Sequence, residues 1–146
     1  MVNSSEPVEV RSFEPGDSRT VIGLWETCGL TRSWNDPAKD IARKVAVGDD
    51  MFLVAAIGDT VVGTVMAGYD GHRGWINYLA VHPDQRGWGI GRVLMGEAEH
   101  RLRLVGCPKI NLQVRSANAT TVGFYENLGY ATDEVVSLGK RIERDD

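Results

Sequence analysis

The stretch Gln85-Arg86-Gly87-Trp88-Gly89-Ile90-Gly91 follows an apolar, strand-like run from Trp75 to Val81 and precedes a helical pattern. Its three glycines leave the backbone free of side chains, so several N–H groups can approach one anion. The start of the next helix adds the positive end of its dipole, and Arg86 adds a permanent cation. The sequence therefore predicts a cradle for a phosphate or pyrophosphate at a strand-to-helix turn.

Two well-known phosphate-binding patterns do not fit this turn. The dinucleotide fingerprint has G-x-G-x-x-G after the first strand and an acid about 20 residues later. Here the spacing is G-x-G-x-G after the predicted fourth strand, and Pro108-Lys109 lies at the position of the acid. A P-loop requires Gly-Lys followed by Ser or Thr, which this turn lacks. Spacing therefore excludes both patterns.

The composition is that of one ordinary globular domain, with 146 residues, 42% hydrophobic and 25% charged. A net charge of −4 disfavours a general nucleic-acid binder. No apolar run approaches the roughly 18 residues of a membrane helix and no signal segment is apparent, so we expect a cytoplasmic protein without a membrane partner. Cys28 and Cys107 lack metal-type spacing, and we expect buried thiols and no metal site.

Hydrophobic periodicity predicts the order β-α-α-β-β-β-α-β-α-β, which indicates an α/β sandwich with a mixed sheet. Residues 51–57 and 61–69 predict a hairpin around Gly58-Asp59, and the strand from Trp75 to Val81 is expected to be buried on both faces. A final strand is expected within residues 131–140. One domain would span residues 8–141, between a loose N-terminus at 1–7 and a loose polar tail at 142–146.

Two motifs carry a family resemblance. Arg86 to Gly91 is similar to the Q/R-x-x-G-x-G/A signature of the GCN5-related N-acetyltransferases (GNAT), and Asn118 to Tyr130 resembles the family's N-x-x-A-x-x-F-Y-x-x-x-G-F/Y stretch, with Thr121 replacing the alanine. The resemblance spans about residues 8–140 and is closest to the bacterial YpeA type. It implies an α+β GNAT fold: a mixed, mostly antiparallel sheet of about six to seven strands, flanked by four helices.

The same resemblance implies acetyl-CoA as cofactor, bound where the central strand splays from its neighbour. The backbone of Leu79, Ala80 and Val81 would face the thioester and pantetheine, and Asn118 would meet the pantetheine or cap its helix. The pyrophosphate would lie on the turn, where side chains at Gly89 or Gly91 would fill its space. The residues of this turn are Arg86, Gly87, Trp88, Gly89, Ile90 and Gly91. Tyr125 would protonate the leaving thiolate, as the catalytic acid.

The resemblance implies a primary amine as the acceptor, but it does not identify the residues that bind this amine. Trp34, Asp36, Asp70 and His72 are candidate substrate residues. An alkylammonium must lose a proton before it attacks, yet the central strand carries no acid that could serve as the base. Asp70, His72, Glu26, Asp36 or a water molecule could take this role. Apart from any site role, Asp36-Pro37 is a typical helix start and Asn118 a typical N-cap.

Three alternatives to a small-molecule enzyme stay open. The acceptor could be the N-terminal amine of a protein, as in the ribosomal-protein acetyltransferases. The domain could instead sense acyl-CoA without turnover, or it could be a structural or interaction protein, which the two separated motifs disfavour. The last predicted strand, Val135 to Lys140, is also a candidate edge for pairing two copies into a homodimer.

Overall fold

A computed structural model describes residues 6–145. Within this part of the chain one sheet holds five strands in the order β1-β2-β3-β4-β5, and only the β4–β5 pair is parallel. The strands are β1 (Val8–Ser12), β2 (Phe52–Ile57), β3 (Thr60–Tyr69), β4 (Gly74–Val81) and β5 (Ile110–Leu112). The predicted mixed, mostly antiparallel sheet is thus confirmed, as is the hairpin, in which Gly58 has a left-handed φ of +59°.

The sheet has fewer strands than the predicted six to seven, because residues 131–140 do not form a strand. This segment contacts β5 and the residues on either side of it through side-chain hydrogen bonds. Asp133 accepts hydrogen bonds from Lys109 and Asn111, and the Ser137 hydroxyl oxygen accepts one from the Gln113 side-chain amide. The apolar side chains of Val135 and Val136 remain largely exposed. The alternating pattern of this segment predicted a strand. Because none of its faces is buried against a core, nothing fixes the register in which it would pair with β5.

Four α-helices flank the sheet. They are α1 (Ser18–Thr27), α2 (Pro37–Val47), α3 (Ile90–Leu104) and α4 (Ala119–Asn127). The predicted start of α2 is confirmed, since the Asp36 carboxylate accepts hydrogen bonds from the N–H groups of Ala38 and Lys39 and Pro37 opens the helix. None of the helices within residues 6–145 is long and apolar enough to cross a membrane.

Each face of the sheet carries its own apolar core. On one face α3 packs Leu94, Ala98 and Leu102 against the strands, together with Tyr125 of α4. On the other face the core contains Val21, Leu24 and Trp25 of α1 together with Ile41 of α2. We call these the α3 face and the α1 face. The expected burial of β4 on both sides is wrong for its first half, because Trp75 and Asn77 are exposed.

The strand β4 contains a β-bulge in its second half. Thr64 of β3 pairs with Ala80 and Met66 pairs with Asn77, so Tyr78 and Leu79 together oppose the single residue Val65. Tyr78 has a φ of +52°, a left-handed conformation that costs a non-glycine residue on the order of 1–3 kcal/mol. The extra residue shifts the alternation, so Tyr78 and Ala80 pack in the α1 face while Leu79 and Val81 contact the α3 face.

A buried hydrogen-bond chain holds this bulge. The indole Nε1 of Trp25 donates to Thr64 Oγ1 at 2.9 Å, and Thr64 Oγ1 donates to the carbonyl oxygen of Tyr78 at 2.8 Å. Trp25 and Thr64 are fully buried, and the Trp25 ring stacks on Tyr78 at a centroid distance of 3.8 Å. Because a buried polar group without a partner is costly, this chain offsets part of the backbone strain at Tyr78.

Within the tail at 142–146, which the sequence predicts to be loose, Asp145 contacts α2 while residues 142–144 are exposed. The Asp145 carboxylate binds the Arg43 guanidinium at 2.6 Å and accepts from the backbone N–H of Asp36 at 3.3 Å, and its side chain is only 2% exposed. Upstream, Arg141 donates to Asn35 Oδ1 at 2.7 Å. Residues 1–5 of the expected loose N-terminus, and Asp146, lie outside the described residues.

Replacing Thr64 with valine should destabilise the fold by about 1–3 kcal/mol, because the Trp25 indole and the Tyr78 carbonyl would each lose a partner in the core. Thr60→Val, on the same strand but exposed, is the matched control and should stay within about 0.5 kcal/mol of the unmodified protein. Urea unfolding followed by tryptophan fluorescence measures both. Equal stability of the two variants would contradict a structural role for the chain.

Candidate functional site

The candidate site begins where β4 and β5 separate. Their parallel pairing extends from Gly74 with Ile110 to Ile76 with Leu112 and then stops, while β4 continues to Val81. The edge of β4 from Asn77 to Val81 is therefore not paired with β5. The splay that the family resemblance implied is present, and the bulge lies at its start.

The open edge exposes backbone groups of alternate residues. His82 donates its N–H to Val62 of β3, continuing the antiparallel ladder. Since N–H and C=O groups alternate between the two sides of a strand, those of Leu79 and Val81 face away from β3 and toward the gap. The Val81 carbonyl there accepts a hydrogen bond from Arg86 Nε at 3.1 Å. Ala80 lies between them, with its side chain buried at 4% exposure.

The glycine turn follows directly and leads into α3. Gly87 and Gly89 have φ values of +85° and +81°, which L side chains rarely adopt. Gly89 is the N-cap of α3 and supplies no side-chain acceptor, so the first N–H groups of the helix have no cap. A Cβ added to either glycine would meet no atom within 4 Å. The turn thus leaves open space around its two left-handed glycines, next to the positive end of a 15-residue helix.

Gly91 has a different role from the one expected. A Cβ at this position would lie 3.1 Å from the Phe124 ring and 3.8 Å from Val81, so it would press on α4 and β4. The missing side chain lets the start of α3 approach both elements closely. Ile90, just before it, is buried in the α3-face core, whereas Trp88 is 63% exposed within the turn.

Tyr125 lies on α4 beside this junction. Its ring is buried in the α3-face core and makes edge contacts with Phe124 and Tyr130, at centroid distances of 5.2 and 5.7 Å. Burial raises the pKa of its hydroxyl to about 12, so the group stays protonated at neutral pH. Tyr125 also lines a cavity of about 1310 Å³ between β5, α4 and the segment 131–137. Among residues 6–145, every fully buried side-chain polar atom has a hydrogen-bond partner. The Tyr125 hydroxyl makes no hydrogen bond with these residues, so it is not fully buried in the core.

Asn118 is the N-cap of α4, as the sequence predicted. Its side-chain oxygen accepts from the N–H of Thr121 at 3.1 Å. This bond leaves the amide N–H₂ group of Asn118 available, so the cap does not conflict with a role in binding.

A second cavity of about 570 Å³ lies on the α1 face, between α2, the loop before it and the bulge of β4. The bulge places Asn77 and Tyr78 side by side in its wall. Among its lining residues Asp40 is the one acid, and the Tyr78 hydroxyl donates to it at 2.6 Å. Burial, and then this bond, raise the pKa of Tyr78 well above its usual range. Arg115, just past β5, lines both cavities.

The four predicted substrate residues are not brought together in this cavity. The Asp36 carboxylate is used as the α2 cap, and Trp34 is half exposed next to Asn35, which does line the wall. Asp70 and His72 lie in the β3–β4 loop, at the paired end of β4. Hydrogen bonds from the backbone of Arg73 and His72 hold the pKa of Asp70 below its ordinary value, which makes it a poor base.

Sequence reasoning missed Thr64 and Tyr78 as parts of the site, and it did not predict the contact of Asp40 with Tyr78. Tyr78 sits in a run that looks like a regular strand, and nothing local signals its positive φ. The contact of Asp40 with Tyr78 joins residues 38 positions apart. A polar Thr64 within the apolar run from Val61 to Val65 was the one available signal, because a buried hydroxyl needs a partner.

Comparison with known sequences identifies the class of protein. The sequence model of the acetyltransferase (GNAT) family matches residues 18–130, and the chain therefore belongs to this family. It is 50% identical over 138 residues to an acetyltransferase of Pectobacterium atrosepticum, covering 94% of this chain and 98% of that one. It is also 49% identical to an acetyltransferase of Yersinia pestis over 135 residues, with 92% and 96% covered.

Among solved structures, Ard1 from Thermoplasma volcanium has a TM-score of 0.77 at 26% identity, covering 85% of this chain and 82% of that one. The PaiA N-acetyltransferase of Thermoplasma acidophilum, solved in complex with coenzyme A, matches with a TM-score of 0.73 at 19% identity, with 89% and 93% covered, and so shares the fold.

Gly89→Ala should destabilise the protein by about 1–2 kcal/mol, because a Cβ is disfavoured at its left-handed φ. Gly96→Ala is the matched control: Gly96 lies inside α3 with open space around it, and alanine should stabilise the helix by about 0.4–1 kcal/mol. Thermal unfolding of both variants tests whether their free energies of unfolding change in opposite directions. A stabilised Gly89→Ala protein would contradict the conformation of the turn.

Proposed function

We propose that the protein transfers the acetyl group of acetyl-CoA directly to a primary amine. The observation that carries the proposal is the open edge of β4 beside an uncapped helix start. Leu79 and Val81 offer N–H donors on one side of the gap, and the turn from Arg86 to Gly91 offers open space around Gly87 and Gly89 before the uncapped start of α3. These are donors suited to a pantetheine arm and to a pyrophosphate.

Acetyl-CoA supplies an acetyl group activated as a thioester. The chain's own residues would hold it: the turn and the first N–H groups of α3 bind the pyrophosphate, and the edge of β4 orients the arm. An N–H donor of the open edge stabilises the negative charge that builds on the carbonyl oxygen. The amine enters from the cavity on the α1 face, where Asn77 and Tyr78 form the wall nearest to the edge.

Tyr125 acts at the leaving sulfur. With a pKa of about 12, its hydroxyl is fully protonated during turnover, but complete transfer of its proton to a thiolate of pKa about 8.5 is uphill. Its role as acid is therefore mainly that of a hydrogen-bond donor to the developing thiolate. The proton released by the amine leaves through water, since Asp70 and Asp36 are committed to backbone N–H groups.

A small amine is favoured over a protein N-terminus by the shape of the acceptor side. The cavity of about 570 Å³ is in the range of small-molecule sites. Asn35 on its wall is bonded by Arg141, and Asp145 packs on the neighbouring helix, so the end of the chain occupies surface that an extended peptide would need.

Gly89→Val should weaken binding of acetyl-CoA at least about tenfold, or about 1.4 kcal/mol, because the side chain would occupy the open space in which the proposed pyrophosphate lies. Isothermal titration with acetyl-CoA, CoA and NADH measures it, and NADH should not bind. Gly96→Ala, on the same helix, should bind acetyl-CoA normally. Unchanged affinity in a folded Gly89→Val protein would contradict the cradle.

Tyr125→Phe should lower kcat about 10- to 100-fold while the acetyl-CoA dissociation constant stays within about twofold, because one hydrogen bond to a charged sulfur is lost. Tyr69→Phe, which removes a hydroxyl bonded to Gly71 at the far end of the sheet, is the control and should retain full activity. Release of free thiol with an amine panel is the assay. Tight acetyl-CoA binding by the unmodified protein without turnover of any amine would favour the acyl-CoA sensor.

A further inference from the structure

The cavity on the α1 face is positively charged, although the whole chain is acidic. Its wall carries four cationic side chains and one acid, Asp40. The cationic residues are Arg32, Arg43, Lys44 and Arg115. Two acids that the sequence offered as substrate residues do not offset this charge. Asp36 caps α2, and Asp70 binds backbone N–H groups of the β3–β4 loop.

Two of the four cations are neutralised by carboxylates of the chain. Arg43 binds Asp145 at 2.6 Å and Asp40 at 3.2 Å, and Lys44 binds Asp49 at 2.6 Å. Lys44 also donates to the carbonyl oxygen of Ala67. These pairs shape the wall but leave little charge for a ligand.

The other two cations have no acidic partner among residues 6–145. Arg32 donates to the carbonyl oxygens of Gly29 at 2.7 Å and Thr31 at 2.9 Å, which fix its guanidinium without neutralising it. The guanidinium group of Arg115 makes no hydrogen bond or ion pair with any described residue, and the Arg115 side chain lines both cavities. An arginine held by carbonyls and a second one left free present N–H forks suited to carboxylate or phosphate oxygens.

We propose that the amine acceptor carries an anionic group, a carboxylate or a phosphate, and that Arg32 and Arg115 bind this group. This rests on the proposed acetyl transfer and specifies its substrate class. The anion sits between the two guanidinium groups, so that the amine of the same small molecule reaches the open edge of β4. The remaining positive potential disfavours polycationic amines, which would have to approach unpaired arginines.

The test compares amines that differ only in the anionic group. O-phosphoethanolamine is paired with ethanolamine, and an α-amino acid with its amide, so that the phosphate and carboxylate sources are distinguished. We expect kcat/KM to be at least about tenfold higher for the anionic member of one pair. Arg115→Gln and Arg32→Gln should each remove most of this preference through KM, with acetyl-CoA affinity unchanged. Arg19→Gln, on the exposed side of α1, is the control and should change neither parameter.

A binding measurement separates this inference from the proposed function. In an NMR titration, the side-chain Nε–H signals of Arg32 and Arg115 should shift with the anionic member of a pair and not with its neutral partner. Shifts without turnover of any amine would support the anion site and count against acetyl transfer. Turnover with equal kcat/KM for anionic and neutral amines, or the absence of arginine shifts, would overturn the inference while leaving acetyl transfer standing.

Discussion

The buried hydrogen bonds from Trp25 through Thr64 to the carbonyl of Tyr78 hold β4 in its bulged conformation. The bulge adds one residue to β4, turns Leu79 and Val81 toward the α3 face, and coincides with the point where β5 leaves the sheet. Without it, β4 would continue as a regular strand, and the side chains that follow the bulge would point to the opposite face of the sheet. A strained residue at the centre of the sheet is thus retained because the surrounding core enforces it.

The gap connects two faces with different chemistry. On the α3 face, the close approach of Gly91 to Phe124 and Val81 gathers α3, α4 and the end of β4 around Tyr125. On the α1 face, α2 and the bulge form a smaller polar cavity with unpaired arginines. Arg115 at the end of β5 belongs to both. In the proposed reaction, the cofactor and the acceptor would enter from opposite faces and meet at this exposed strand edge, as direct transfer requires.

The features that the sequence predicted correctly are those determined by residues close together in the chain. The glycine turn, the caps at Asp36 and Asn118, and the hairpin at Gly58 are fixed by neighbouring residues, and all four are present. The prediction of a final strand within residues 131–140 was wrong, because the apolar residues of this segment do not pack against a core. The bulge at Tyr78, its contact with Asp40 and the docking of Asp145 on α2 join distant positions, so no window of sequence contains their cause.

Amide hydrogen exchange at Leu79 and Val81, measured by NMR with and without CoA, tests the open edge most directly. If these N–H groups face an unpaired gap that receives the pantetheine arm, both should exchange quickly in the free protein and become protected when CoA binds. The N–H groups of Ala80 and His82, which face β3, should be protected in both states. Slow exchange at Leu79 and Val81 without CoA, or exchange that CoA leaves unchanged, would contradict the account.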